Sequence, residues 1–221
     1  MMAGMFEESL VNRLEASGVL AVLILESVEA AVPVARALLA GGVDCVELTL
    51  RTPVAMEALR RIRAEVPEMM VGAGTILTVE QVREAKAAGA AFGVAPGMNP
   101  RVVSAAREAG LSFAPGVCTP TDIEVALEQG CRVMKFFPAE LCGGLAYLRA
   151  IGAPFAHLGV RFIPLGGLGP SNAEVYLREE SVLALGGSWL ATKAAIEGGR
   201  WEEVSHQARL ARELVKRVRG E

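Results

Sequence analysis

The feature that most constrains this chain is a recurrence. A short, nearly continuous apolar run is followed by a capping residue and a helix-length amphipathic segment. The pair returns at roughly 20–25 residues, the size of a strand–helix unit with short loops. The runs cover residues 19–25, 45–50, 69–72, 91–94, 111–114, the stretch around Lys135, 161–165 and 182–185. Ser27, Thr52-Pro53, Thr78, Asn99-Pro100, Thr119-Pro120 and Ser171-Asn172 open the helices, as polar caps and first-turn prolines do. Thr78 with Gln81 forms a capping-box pattern. Strands covered on both faces read as apolar runs rather than alternations. Eight such units predict an α/β fold, a single (β/α)8 TIM barrel. An additional N-terminal helix over residues 6–16 lies across one end, and a helix over 201–219 finishes the chain. A doubly wound open sheet is the structural alternative, but Leu25-Glu26-Ser27 after the first strand is no dinucleotide glycine fingerprint.

The bulk composition fits that architecture. The 221 residues are 52% hydrophobic and 21% charged, with a net charge of −3, so one domain spanning 1–221 is expected. The charge argues against nucleic acid or an anionic membrane as main partner. No apolar stretch approaches the roughly 20 residues of a membrane span. The opening MMAGMFEESLVNRLE carries early acids and no leader pattern. Cys45, Cys118, Cys131 and Cys142 show no CxxC spacing and sit in or beside apolar runs, which predicts reduced core thiols in a cytoplasmic protein. His157 and His206 are isolated in sequence, so no metal site is indicated.

One charge stands out. Lys135 lies within Arg132–Glu140, RVMKFFPAE, between Val133-Met134 and Phe136-Phe137. A lysine in a buried strand loses hydration, which favours the neutral amine, a nucleophile suited to a Schiff base with a carbonyl. The bland reading is a lysine at the strand's end that snorkels to water. On the second strand, Glu47 and Arg51 share a parity and face one side of the sheet. Half a barrel away lies Lys135. Barrel enzymes work at the C-terminal ends of their strands, and often bind phosphate after the last two. Glycine turns occur at both places, Gly166-Gly167 and Gly186-Gly187-Ser188. Glycine lets backbone N–H groups approach an anion, and a following helix start would add its dipole. Lys193 could approach such a phosphate or be a surface lysine. A neutral lysine, a proton-carrying carboxylate, an arginine clamp for a carboxylate and a phosphate cradle together describe aldol cleavage of a phosphorylated 2-keto acid. A phosphosugar isomerase or epimerase, and a non-catalytic phosphate-binding barrel, stay open as alternatives.

These residues resemble a known family. Val46-Glu47-Leu48-Thr49-Leu50-Arg51-Thr52, Val71-Gly72-Ala73-Gly74-Thr75, Met134-Lys135-Phe136-Phe137-Pro138-Ala139-Glu140 and Gly186-Gly187-Ser188-Trp189-Leu190 resemble motifs of the 2-keto-3-deoxy-6-phosphogluconate (KDPG) aldolases, which also act on 4-hydroxy-2-oxoglutarate. The motifs fall in the family's order over nearly the whole chain. The resemblance implies a class I aldolase of 2-keto acids, without metal or cofactor, that releases pyruvate and glyceraldehyde 3-phosphate and assembles as a homotrimer. It implies Lys135 as Schiff-base residue and Glu47 as general acid/base. Arg51 and Thr75 would hold the pyruvate carboxylate, Pro96 would line the pocket and Phe137 would pack beside the imine. Gly166, Gly167, Gly187 and Ser188 would bind phosphate. Two positions depart from the family pattern. Leu165 stands where the family carries a threonine that touches substrate, and Ala95 replaces a serine before Pro96. Around Ile24, where some members carry an arginine, this chain is apolar.

Overall fold

The structure is a computed structural model and describes residues 5–220; the first four residues of the opening stretch read above lie outside them. Its frame is a curled, all-parallel sheet wrapped by helices. Strands β1 (Val19–Leu23), β2 (Cys45–Thr49), β3 (Met70–Gly74), β4 (Phe92–Val94) and β5 (Ser112–Ala114) follow one another, and β9 (Leu185–Gly187) pairs with β1. These six form one sheet in the order β5-β4-β3-β2-β1-β9. A second sheet holds β6 (Gly116–Val117), β7 (Val133–Phe136) and β8 (Arg161–Pro164).

The expected eight continuous ladders are therefore divided, and two prolines account for the divisions. Residues 112–117 are one extended segment whose first half pairs with β4 and whose second half pairs with β7. Pro115 between them has no N–H to give a ladder, and only its carbonyl is used, by the Lys135 N–H at 2.9 Å. Between β8 and β9 only two isolated bridges form, Phe162 with Val182 and Leu165 with Gly186. Pro164, between those bridges, again lacks the donor that would join them. The last strand is accordingly Leu185–Gly187, later than the 182–185 run predicted it.

Side chains alternate between two apolar layers. Ala21, Leu23, Val46, Leu48, Met134 and Phe136 face the surrounding helices in the large core. Leu20, Cys45, Met70, Phe92, Val133 and Ile163 fill the interior of the curl. The N-terminal helix α1 (Glu8–Ser17) brings Leu14 into that interior cluster, together with Phe6 just before it. The Phe6 and Phe92 rings lie 6.0 Å apart, so the N-terminal segment closes the bottom as the sequence predicts. Interior parity then runs upward from Cys45 to Glu47 and from Val133 to Lys135. The two ionisable side chains form the layer above the apolar plug.

The helix starts test the capping expectations. Helix α4 (Val79–Ala87) begins with the full Thr78/Gln81 capping box. Helices α5 (Pro100–Glu108) and α6 (Pro120–Glu128) begin at the Asn99 and Thr119 caps with proline in the first turn. Two expectations fail. Helix α2 is Ala31–Ala40 rather than beginning at Val28, so Ser27 only accepts a long 3.4 Å bond from the Ala30 N–H. The late start keeps Pro33 in the first turn, where its missing donor costs nothing. Helix α3 is Ala55–Glu65, and the Thr52 hydroxyl donates to the Leu25 carbonyl at 2.6 Å instead of capping. In urea unfolding, Thr78→Ala is expected to cost about 1 kcal/mol, and Ser27→Ala to stay within about 0.5 kcal/mol of the parent; equal losses would contradict the assigned caps.

Candidate active site

The C-terminal ends of the strands enclose a cavity of about 210 Å³. At its wall Lys135 Nζ lies 3.0 and 3.3 Å from the two oxygens of Glu47. The Lys135 side chain is 7% exposed and that of Glu47 is 0% exposed. The snorkelling reading of Lys135 is thus overturned: the amine is held inside by a carboxylate from the far side of the curl. Taking two ions out of water costs several kcal/mol each, and their attraction offsets this only with good geometry. Such a pair contributes little net stability, so chemistry is the better account of its presence. The Phe137 ring covers the amine, with its centroid 5.3 Å from Nζ.

Local structure aims each group. Glu47 and Lys135 are interior residues of β2 and β7. Thr49, next on the same face, is pinned by its hydroxyl to the Leu23 carbonyl at 3.1 Å. Arg51 lies beyond the end of β2, exposed, lines the same cavity and has no ion-pair partner among the described residues. The shared parity of Glu47 and Arg51 therefore holds in space. Gly74 gives Glu47 its room, since a Cβ there would fall 2.1 Å from Glu47 Oε1. Thr75 follows in the left-handed region, φ 58°, at a cost of roughly 1–2 kcal/mol for a residue with a Cβ. That backbone sets Thr75 in the cavity lining, with Pro96 from the loop after β4.

Opposite, the turn after β8 lines the cavity with Leu165, Gly166 and Gly167, and the last strand contributes Gly186 and Gly187, with Ser188 just after it. Gly166 and Gly167 have φ 97° and 82°, which L side chains rarely adopt. The parallel bridge of Leu165 with Gly186 turns the Gly166 N–H toward the Gly186 carbonyl, whereas among the described residues the Gly167 N–H donates to no protein acceptor. The expected helix dipole is weaker than the sequence suggested. Only a three-residue 3-10 turn, Ser188–Leu190, follows the last turn, and helix α8 after the first is just Ala173–Leu177. Lys193 proves to be a surface lysine, 3.0 Å from Glu26 and 3.5 Å from Glu197.

Lys135, Glu47, Arg51, Thr75, Pro96, Phe137, Leu165, Gly166, Gly167, Gly187 and Ser188 all line this one cavity, whereas Lys193 does not. Sequence reasoning missed part of it. Val22 and Leu168 also line the wall, and Ile24 extends the apolar side; the alternation along residues 20–24 was the available signal. It also missed the support behind the Gly166 turn. The Glu140 N–H donates to the Gly166 carbonyl at 3.0 Å, and the Tyr176 hydroxyl donates to Glu140 Oε1 at 2.5 Å. Burial first, then that carboxylate, pushes the Tyr176 phenol above its ordinary range.

A curled parallel sheet with one amine and one carboxylate in contact inside its mouth is the layout of an enzyme that makes or breaks bonds beside a carbonyl. Comparison with known proteins is specific. The family description "Aldolase: KDPG and KHG aldolase" matches residues 10–207. The 2-dehydro-3-deoxy-phosphogluconate aldolase of Treponema pallidum is 46% identical over 91% of this chain and 95% of that protein. The KHG/KDPG aldolase of Escherichia coli K12 is 43% identical over 90% and 91%. A crystal structure of KDPG aldolase from Legionella pneumophila, with pyruvate captured as a covalent carbinolamine, superposes with a TM-score of 0.87 at 35% identity, covering 91% of this chain and 97% of that one. The chain belongs to the KDPG and KHG aldolase family and is a carbon–carbon lyase.

Gly74→Ala is expected to displace the Glu47 carboxylate from Lys135. It should lower stability in denaturant unfolding by about 1–3 kcal/mol and lower turnover by roughly 100-fold or more; an unchanged rate would show that the Glu47 position does not matter.

Proposed function

We propose that the protein cleaves 2-dehydro-3-deoxy-6-phosphogluconate to pyruvate and glyceraldehyde 3-phosphate, and 4-hydroxy-2-oxoglutarate to pyruvate and glyoxylate, through a Schiff base on Lys135. The observation that carries this is the double contact of Lys135 Nζ with the buried Glu47 carboxylate. Glu47 takes a proton from the ammonium, and the freed amine attacks C2 of the keto acid. The carbinolamine loses its oxygen as water with a proton returned from Glu47, leaving an iminium. The C3–C4 bond then breaks: its electron pair flows into the iminium to give an enamine, and the C4 hydroxyl gives its proton to the Glu47 carboxylate, directly or through a water, as the aldehyde leaves. Protonation at C3 and addition of water release pyruvate and restore Lys135.

The remaining roles follow from charge and position. Arg51, exposed and unpaired at the cavity, is the group suited to a substrate carboxylate, with Thr75 beside it. Phe137 and Pro96 shelter the imine from water. The Gly166-Gly167 turn, with the free N–H of Gly167 and with Gly187 and Ser188 across from it, suits the terminal phosphate. Leu165, Val22 and Ile24 form an apolar wall between the two ends, so a substrate hydroxyl facing them finds no partner.

The same reading makes the two sheets one closed barrel of eight strand positions, a single domain over the chain, with β5 and β6 sharing one position. The bridges from β8 to residues 182 and 186 support it. It also makes the protein a cytoplasmic homotrimer on the strength of the family resemblance. A crystal structure checks closure and assembly together; strands 8 and 9 splayed beyond hydrogen-bonding reach, or a lone protomer without a three-fold interface, would contradict them.

For the chemistry, borohydride reduction with pyruvate present is expected to leave one covalent adduct, on the peptide containing Lys135. Lys135→Met is expected to form no adduct and to lose about 10⁴-fold or more in turnover. An adduct on another lysine would overturn the assignment to Lys135, and turnover unaffected by borohydride and substrate would favour an isomerase or epimerase instead.

A further inference from the structure

Two of the four cysteines are not the core thiols that the sequence predicts. Cys45 and Cys131 are fully buried. Cys118 and Cys142 are half-buried, and their sulfur atoms lie 2.8 Å apart although the residues are 24 positions apart in the chain. We propose that Cys118 and Cys142 are a modification site: a dithiol that oxidises to a reversible intramolecular disulfide, stapling the loop after β6 to the loop after β7 beside the catalytic cavity.

Both partners are held by their backbones. The Cys118 N–H donates to Asp122 Oδ2 at 2.9 Å, within the α6 capping box. The Cys142 N–H donates to the Pro138 carbonyl at 3.0 Å. The turn is closed by Gly143 N–H to Glu140 O at 3.1 Å and Gly144 N–H to Ala139 O at 2.9 Å. A disulfide needs sulfur atoms about 2.05 Å apart, so the thiols must approach by less than about 1 Å, a side-chain adjustment. Half-burial leaves them within reach of a small oxidant, which Cys45 and Cys131 are not.

The linked segment matters to the cavity. Residues 137–140 carry Phe137 over Lys135, and the Ala139 and Glu140 N–H groups donate to the carbonyls of Leu165 and Gly166 at 2.7 and 3.0 Å. A covalent tie at Cys142 therefore restrains the support of the Gly166 turn as well as the loop itself. Closing a loop of this size removes freedom chiefly from the unfolded chain and raises resistance to unfolding.

The oxidant is a small disulfide such as oxidised glutathione. One protein thiolate attacks a glutathione sulfur, forming a mixed disulfide and expelling one glutathione thiolate. The second protein thiolate attacks the mixed disulfide at the protein sulfur, forming the protein S–S bond and expelling the other. Two protein thiols lose two protons and two electrons, and one glutathione disulfide becomes two glutathione thiols. Burial, and after it the hydrogen bond with Cys142, pushes the Cys118 thiol up to about 11. Thiolate is scarce at neutral pH, so exchange is slow there.

The test incubates the whole protein with oxidised glutathione at about pH 9, where more thiolate is present, and then digests it unreduced after Arg, Lys and Glu. Cleavage at Glu124 and Glu128 separates Cys118 from Cys131, and cleavage at Arg132 and Lys135 separates both from Cys142. The expected product is a Cys118–Cys142 linked peptide from a protein lighter by two hydrogens. Its unfolding temperature should rise by several degrees and fall back after dithiothreitol. Cys142→Ser should stop at a glutathione adduct with no such rise. Glutathione adducts alone in the parent, a link to Cys45 or Cys131, or a linked protein that unfolds no later than the reduced one, would each overturn the proposal. None of these readouts depends on the substrate.

Discussion

The buried contact between Lys135 and Glu47 is the interaction on which the rest of this structure turns. Neither ion could occupy its position alone, because each would meet a desolvation cost of several kcal/mol without a partner. Together they require two strands from opposite sides of the sheet to bring the same interior layer to the same height. The contact therefore depends on the curl of the sheet. It also explains the glycine at position 74, where any side chain would collide with the carboxylate. The apolar layer beneath, from Leu20, Cys45, Phe92 and Val133, keeps water from reaching the pair from below. The pair is open only upward, to the cavity.

The loop after β7 ties the Lys135 end of that cavity to its glycine-lined end. Phe137 packs over the amine at one end of this loop. At the other end, Ala139 and Glu140 hold the carbonyls of Leu165 and Gly166, which fixes the glycine turn at the cavity wall. Tyr176 anchors Glu140 from the short helix behind. One segment of fewer than ten residues thus sets the spacing between the buried amine and the glycine turn. The Cys118–Cys142 contact acts on that same segment.

The two prolines show how a local rule and a global fold interact. The recurrence in the sequence marks eight strand positions, but a ladder needs a donor at alternate residues. Pro115 and Pro164 remove it at two of them. The result is a six-stranded and a three-stranded sheet that touch through isolated bridges. Both prolines lie at the top of strands whose loops line or support the cavity. The pairing is interrupted where the chain must turn into functional loops.

Much of this was legible without coordinates. Capping boxes, first-turn prolines and apolar runs are encoded over a few neighbouring residues, so Thr78, Asn99, Thr119 and the 201–219 helix could be read directly. A charge in an apolar run marks itself, as Lys135 does; parity places Glu47 and Arg51 on one face. Distances between segments remote in the chain were not legible. That Lys135 touches both oxygens of a residue 88 positions away, that Thr52 bonds a neighbouring strand rather than capping, and that Cys118 meets Cys142 all depend on how far the sheet curls. The curl is the sum of strand twist, interior side-chain volume and loop length over the whole chain. The sequence by itself determined which residues prefer strand, cap, turn or burial, because those preferences are local free energies. Only the tertiary structure decided which of them meet, because contact depends on the packing of all the elements at once.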